Sequence, residues 1–330
     1  MSAAGLGDIT QSCRDDLDSF FQEQIWPIML LQFILAIVGN GFAIYRFLAY
    51  EQKWNTNIVY SFNLAVSDLL YAFSLFPMVL YYFPPKDWTY GRILCTLARF
   101  FFFCNLYGST FFIACISLNR CVAVVHPIFA HGHMKLGHAK LLSGAVWLLV
   151  GAISAPVLSF STLNHVSKNT TNVTQCLGSA SSEQLPKYWP YSLFLLAFGF
   201  GLPFVLTSVS CGAIIYTIQH NHHIATMKKR KVKAPVSVVV VLPFHILQNL
   251  SLSHRLSKRK DCEVLLHTAF QVAKILVHFH ICVHPLVYAV QANSMQKYFG
   301  RCFQWWKDVQ EEENVELRLW NRAPPQGLQE

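Results

Sequence analysis

Five ionisable side chains interrupt long apolar runs: Asp68, Arg99, Arg120, His245 and Lys274. A charge so placed is costly unless it meets a partner or a ligand, and it therefore marks a candidate site. Arg99 is followed at four-residue spacing by Phe103 and Tyr107, which puts all three on one helical face. His245 and Gln248 share a face three residues apart, and Gln271 with Lys274 repeats that spacing. Arg99 and Lys274 facing one cavity without acids would repel each other. A polyanion lying between them removes the conflict, and phosphate suits such donors. Asp68, within Asn63-Leu-Ala-Val-Ser-Asp-Leu-Leu, needs donors of its own, with Asn40, Asn105 and Ser109 as expected neighbours. Arg120 closes its apolar run, where a long side chain can also reach the interface without a role in function.

Those residues lie in seven apolar stretches, 25–48, 58–83, 95–125, 141–160, 188–218, 234–252 and 264–290. A helix needs about 20 apolar residues to cross the bilayer core, so the expected fold is an all-α membrane protein with a seven-helix transmembrane bundle. Of the 330 residues 53% are hydrophobic and 13% charged, half the charge load of an ordinary soluble domain. Pro77, Pro156, Pro203, Pro243 and Pro285 fall inside these stretches and mark expected kinks. The expected divisions are a tail at 1–24, the seven-helix domain at 25–293, a short interfacial eighth helix at 294–308 and a disordered tail at 309–330.

The net charge of +9 fits a membrane topology better than nucleic-acid binding. Lys53, Lys135, Lys140, Lys228, Lys229, Arg230, Lys231, Lys233, Lys297, Arg301 and Lys307 fall on one side if the acidic tail (Asp8, Asp15, Asp16, Asp18) is extracellular. Arg255, Lys258, Arg259 and Lys260 break that rule, as a solvated loop or as an electrostatic collar that draws in anions. The sequons at Asn169 and Asn172 then face outward and are glycosylation candidates. So do Cys13, Cys95, Cys176 and Cys262, an even number on the oxidising side, enough for two bridges. Cys302, in a stretch mixing aromatic and basic residues, is a palmitoylation candidate with membrane lipids as its partner. No nucleotide-hydrolase, serine-hydrolase or zinc-protease motif occurs, so no enzyme, cofactor or metal is expected. The loop cluster His220, His222 and His223 reads as merely polar.

Over nearly all of 25–303 the chain resembles the rhodopsin-like G-protein-coupled receptors, and within them the ATP-preferring branch of the metabotropic purinergic receptors. Gly39-Asn40, Leu64 with Asp68, Trp88 with Gly91, Cys95, Trp147, Pro203, Pro243 and Pro285 carry the likeness. Asn119-Arg120-Cys121 stands where the family has D/H-R-Y, and His284-Pro-Leu-Val-Tyr288 where many members have N/D-P-x-x-Y. The resemblance implies a plasma-membrane receptor with an extracellular N-terminus and a nucleotide pocket open to the outside. It implies disulfides Cys95–Cys176 and Cys13–Cys262, and phosphate contacts at Arg99 and Lys274, with Phe103, Tyr107, His245, Gln248 and Gln271 around them. Asn40, Asp68, Asn119, Arg120, Pro243, Pro285 and Tyr288 become the switch that couples to a heterotrimeric G protein. The family's second cation in the sixth helix is Gln248 here, and Lys274 lacks the bidentate fork of an arginine.

One departure bears on output. Only residues 234–242 separate Lys233 from Pro243, leaving the inner half of the sixth helix short by roughly 12 Å against the family pattern. Since activation swings that inner end outward, impaired signalling is expected. Two other readings stay open: a non-signalling truncated variant acting through receptor homo- or hetero-oligomers, and a receptor for another small anion such as a dicarboxylate.

Overall fold

A computed structural model describes residues 3–83, 87–161, 163–168, 171–176, 183–220, 236–257 and 263–291. Helices dominate, and their outward faces are apolar: Leu31, Val38, Ile93, Leu148 and Val209 are all exposed. In water this surface would be an aggregation hazard; in lipid it is solvated. Six segments among the described residues are long and apolar enough to cross a bilayer, namely Gln24–Tyr50, Thr56–Tyr82, Gly91–Val125, Leu136–Phe160, Leu185–His220 and Thr268–Leu286.

Val236–Ser257 forms the sixth helix. Its outer half carries His245, Gln248, Asn249, Ser251, His254 and Arg255. Packing keeps it in the bundle: His245, Gln248 and Asn249 are buried, and its rings stack on neighbours in the fifth and seventh spans.

The first helix is longer than expected. Ala3–Tyr50 is one helix of 48 residues, about 72 Å, against a hydrocarbon core of about 30 Å. Most of the tail expected at 1–24 is thus helical backbone continuing the first span. The second helix, Thr56–Tyr82, starts on Asn55, whose side chain accepts from the Ile58 amide 3.0 Å away. Gly91 begins the third helix at φ +75°, a left-handed conformation that glycine adopts without penalty. The Trp88 indole donates to the Gly91 carbonyl at 2.7 Å and fixes that entry.

Prolines break the later spans in different ways. Leu136–Ser154 stops before Pro156, and a short helix, Val157–Phe160, finishes the fourth span. The fifth span runs as Leu185–Phe194, a widened π turn Leu195–Gly201, then Leu202–His220. That turn immediately precedes Pro203, which has no amide hydrogen to donate. The seventh stretch is two helices, Glu263–His278 and His280–Gln291, parted at Phe279.

Outside the membrane layer, β1 (Leu163–Lys168) pairs antiparallel with β2 (Thr171–Cys176). The hairpin is pinned to the third helix by the disulfide Cys95–Cys176. It is also tied to the loop before that helix, since Trp88 N donates to Thr174 O at 2.9 Å and Thr174 N donates to Asp87 Oδ1 at 2.7 Å. The eighth helix, Cys302, Asn169, Cys262, the basic loop and the acidic C-terminal stretch lie outside the described residues, as does the side chain of Cys13.

Candidate functional site

Two polar clusters are built on the buried faces of these helices. The deeper one surrounds Asp68. Its Oδ1 accepts from Asn105 Nδ2 at 2.8 Å, and its Oδ2 accepts from His284 Nδ1 at 2.7 Å and from the Tyr288 hydroxyl at 3.0 Å. Three donors from the third and seventh spans therefore neutralise the one carboxylate among the described buried residues. Asn105 meets the expectation, but Asn40 and Ser109 do not. Asn40 Nδ2 bonds the Ala36 and Ile281 carbonyls, both at 3.1 Å, and Ser109 bonds Leu106 O at 3.0 Å. Carbonyls are the nearer acceptors for both side chains. Gly39 lies so close to Pro285 that an added Cβ would sit 2.8 Å from the ring, locking the first span against the seventh.

At the end of the third span away from Arg99, Asn119 Nδ2 donates to Thr56 Oγ1 at 2.8 Å and Asn57 Oδ1 at 2.7 Å, tying the third span to the second. Arg120 is half-buried and close enough to Cys211 of the fifth span to interact with it electrostatically.

The outer cluster is a ladder of rings with a cation near each end. Arg99 is buried and hydrogen-bonds the hydroxyl of Tyr188, on the fifth span. Gln248 of the sixth helix donates to that same oxygen at 3.1 Å. One helical turn beyond Arg99, Phe103 stacks on Tyr107 with centroids 5.9 Å apart, and Tyr107 stacks on His245 at 5.7 Å. His245 also meets Phe200 and Phe244. Phe244 stacks on Phe270, and the Lys274 ammonium lies 5.1 Å above that ring. Gln271 is half-buried on the same helix. Two polar atoms in this cluster are buried without a hydrogen-bond partner among the described residues, the imidazole nitrogen His245 Nε2 and the acceptor Gln248 Oε1.

Tyr188 was not legible in the sequence as a site residue. It lies in an aromatic run, Tyr188-Trp-Pro-Tyr191, where nothing distinguishes a ligand-side hydroxyl from core packing. The π turn was equally hidden. It lets Gly199 press against Tyr107, with Thr110 Oγ1 donating to Gly199 O at 3.1 Å. A Cβ at Gly199 would sit 2.6 Å from the Tyr107 ring, so the close approach requires glycine.

The profile for "7 transmembrane receptor (rhodopsin family)" matches residues 39–288. Metabotropic purinoceptor 11 of Homo sapiens is 37% identical over 309 residues, covering 85% of this chain and 82% of that protein. Metabotropic purinoceptor 1 of Gallus gallus is 32% identical over 305 residues, covering 89% and 83%. The corresponding receptor of Rattus norvegicus is 32% identical over 284 residues, covering 83% and 75%. With its buried Asp68 cluster and disulfide-pinned hairpin in place, this chain belongs to the rhodopsin family of seven-transmembrane receptors and, within it, to the metabotropic purinoceptors.

Proposed function

We propose that this receptor sits in the plasma membrane with its N-terminus outside, binds an extracellular nucleotide, ATP-like in its phosphates, and couples to a heterotrimeric G protein. One observation carries the ligand reading. Arg99 and Gln248, from different helices, converge on a single oxygen, that of Tyr188. Two donors meeting at one oxygen is the arrangement that a phosphate oxygen takes. The ladder Phe103, Tyr107, His245 offers ring faces for a base, and the orphan acceptor Gln248 Oε1 suits its amino hydrogens, with His245 Nε2 beside it able to donate or accept. Lys274 and Gln271 are assigned to the far phosphates. The relatives' shared name, purinoceptor, supports the same ligand class.

Glycosylation at Asn169 and Asn172, lipidation at Cys302 and the Cys13–Cys262 bridge belong to this proposal, as does the switch set of Asn40, Asp68, Asn119, Arg120, Pro243, Pro285 and Tyr288. So does weakened output, which rests on the nine-residue apolar arm at 234–242. Receptor-free cells expressing the chain, assayed for calcium and cyclic AMP under ATP, give the test. A small response abolished in Arg120→Ala is expected; a full-sized response rejects weakened output. No binding of labelled ATP by surface-expressed receptor rejects the ligand. Should ATP bind with no response, co-expression with a full-length relative examines the hetero-oligomer reading through surface levels of both chains.

A further inference from the structure

The first span ends in a group of side chains that neither polar cluster uses. Tyr45, Arg46 and Tyr50 occupy its last turn and a half, at the membrane surface where Asn119 ties the third helix to the second. The Tyr45 and Tyr50 hydroxyls meet at 3.3 Å, and their rings pack edge to face with centroids 5.7 Å apart. The Arg46 guanidinium carbon stands 4.0 Å from the centre of the Tyr50 ring. Tyr45 is 54% exposed and Tyr50 50%, so the group lies on the outside of the bundle. Phe47, by contrast, is fully buried and packs on Tyr288 at 5.8 Å, which fixes the rotation of this helix end.

Hydroxyls and a guanidinium gain nothing from acyl chains, yet the end of a span lies at headgroup depth. The donors there suit an anion. Of the two tyrosine hydrogens one lies between the oxygens, which leaves the second for another acceptor. Stacking on Tyr50 engages the face of the guanidinium, while its edge carries the N–H fork that matches a phosphate. Charge selects among lipids: Arg46 and exposed Lys53 outnumber Glu51 in this segment, which favours a net negative headgroup over one carrying its own ammonium. Exposed Leu48 keeps the same turn in contact with acyl chains. We infer that Tyr45, Arg46 and Tyr50 form a clamp for the phosphate of one anionic glycerophospholipid, drawn from the leaflet that borders this end of the first span.

Native mass spectrometry of the full chain, purified with equal amounts of phosphatidylglycerol and phosphatidylcholine, provides the test. One phosphatidylglycerol is expected to stay bound, with about tenfold preference over phosphatidylcholine. The double variant Tyr45→Phe, Tyr50→Phe keeps both rings but no hydroxyl, and Arg46→Gln removes the cation; each should abolish the preference. Labelled-ATP binding should stay as it is in both, because the clamp is separate from the ring ladder. Should Arg46→Gln lower the melting temperature, the tyrosine variant decides alone. Water-soluble glycerophosphoglycerol should leave the bound lipid in place, and its displacing the lipid would make this a site for soluble phosphates instead. That result, equal retention of the two lipids, or a preference that survives in the tyrosine variant each overturns the clamp.

Discussion

The fifth and sixth helices each carry a proline, Pro203 and Pro243, yet the apolar runs of sequence on the far side of it from the Tyr188 cluster differ in length. From Pro203 to His220 the fifth helix continues for about 26 Å. In the sixth, the described helix begins at Val236, seven residues before Pro243, and the apolar run of the sequence begins at residue 234, next to Lys233. Above the prolines the same two helices are closely joined. Gln248 donates to Tyr188, and His245 packs on Phe200 of the π turn. On the proposed function this difference separates input from output: the end proposed to read a ligand is knit across both helices, while the end proposed to move a G protein has apolar runs of unequal length. A rigid-body swing carries motion only as far as the helix extends.

Arg99→Ala cuts deepest on the input side. It removes the cation of the Tyr188 cluster, and labelled-ATP binding on intact cells should fall about 100-fold, the equivalent of about 2.7 kcal/mol for a charge-assisted contact. Surface expression should persist, because the variant leaves a neutral phenol and amide that water can satisfy. Unchanged ATP binding would move the ligand away from the ladder and undo the division between input and output.

The output side is examined by lengthening. Eight helix-forming residues inserted before Val236 would add about 12 Å of helix on that side of Pro243. An about tenfold larger maximal calcium or cyclic-AMP response, with ATP affinity unchanged, is the expected result. If the unaltered chain already responds fully, or if the insertion leaves a weak response as it was, arm length is not what limits coupling.

How much of this was readable beforehand follows from what each contact depends on. The apolar spans came from hydropathy, because lipid imposes length and apolarity on every crossing, and the disulfide Cys95–Cys176 from the family resemblance. Arg99, Phe103, Tyr107 and His245 were legible by helical spacing, and they do line up along one ladder. Tyr188, the π turn and the Phe279 break were not. Each depends on which neighbouring helix presses closest, as Gly199 does on Tyr107, and single-helix periodicity does not encode that. The donors on Asp68 were half legible. Asn105 lies on the expected face of its helix, whereas His284 reaches Asp68 from the helix that follows the break at Phe279.

Gly199→Ala strikes where input and output helices share a joint. Its methyl would enter the Tyr107 ring at 2.6 Å, and neither the π turn nor a ring held between Phe103 and His245 has room to give. A loss of about 1–3 kcal/mol is expected, read as a lower melting temperature of the purified receptor. ATP affinity should drop with it, since the displaced ring belongs to the ladder. A melting temperature equal to that of the unaltered chain would mean that the fifth helix approaches the third less closely at this point.

Tyr188→Phe should have the smallest effect and separate two roles of the same hydroxyl. Without ligand, that oxygen accepts from both Arg99 and Gln248 and ties three helices together. Losing it costs about 1 kcal/mol, visible as a modest fall in melting temperature without nucleotide. A bound phosphate, however, would have to take those donors from Tyr188. Phenylalanine removes the competitor, so ATP affinity should rise about fivefold even as the empty receptor weakens. Opposite signs in the two measurements would mark the hydroxyl as a stand-in for the ligand. A fall in both would make Tyr188 a positioning residue that holds Arg99 for the phosphate, and the outer ends of the fifth and sixth helices would then be joined the same way with and without nucleotide.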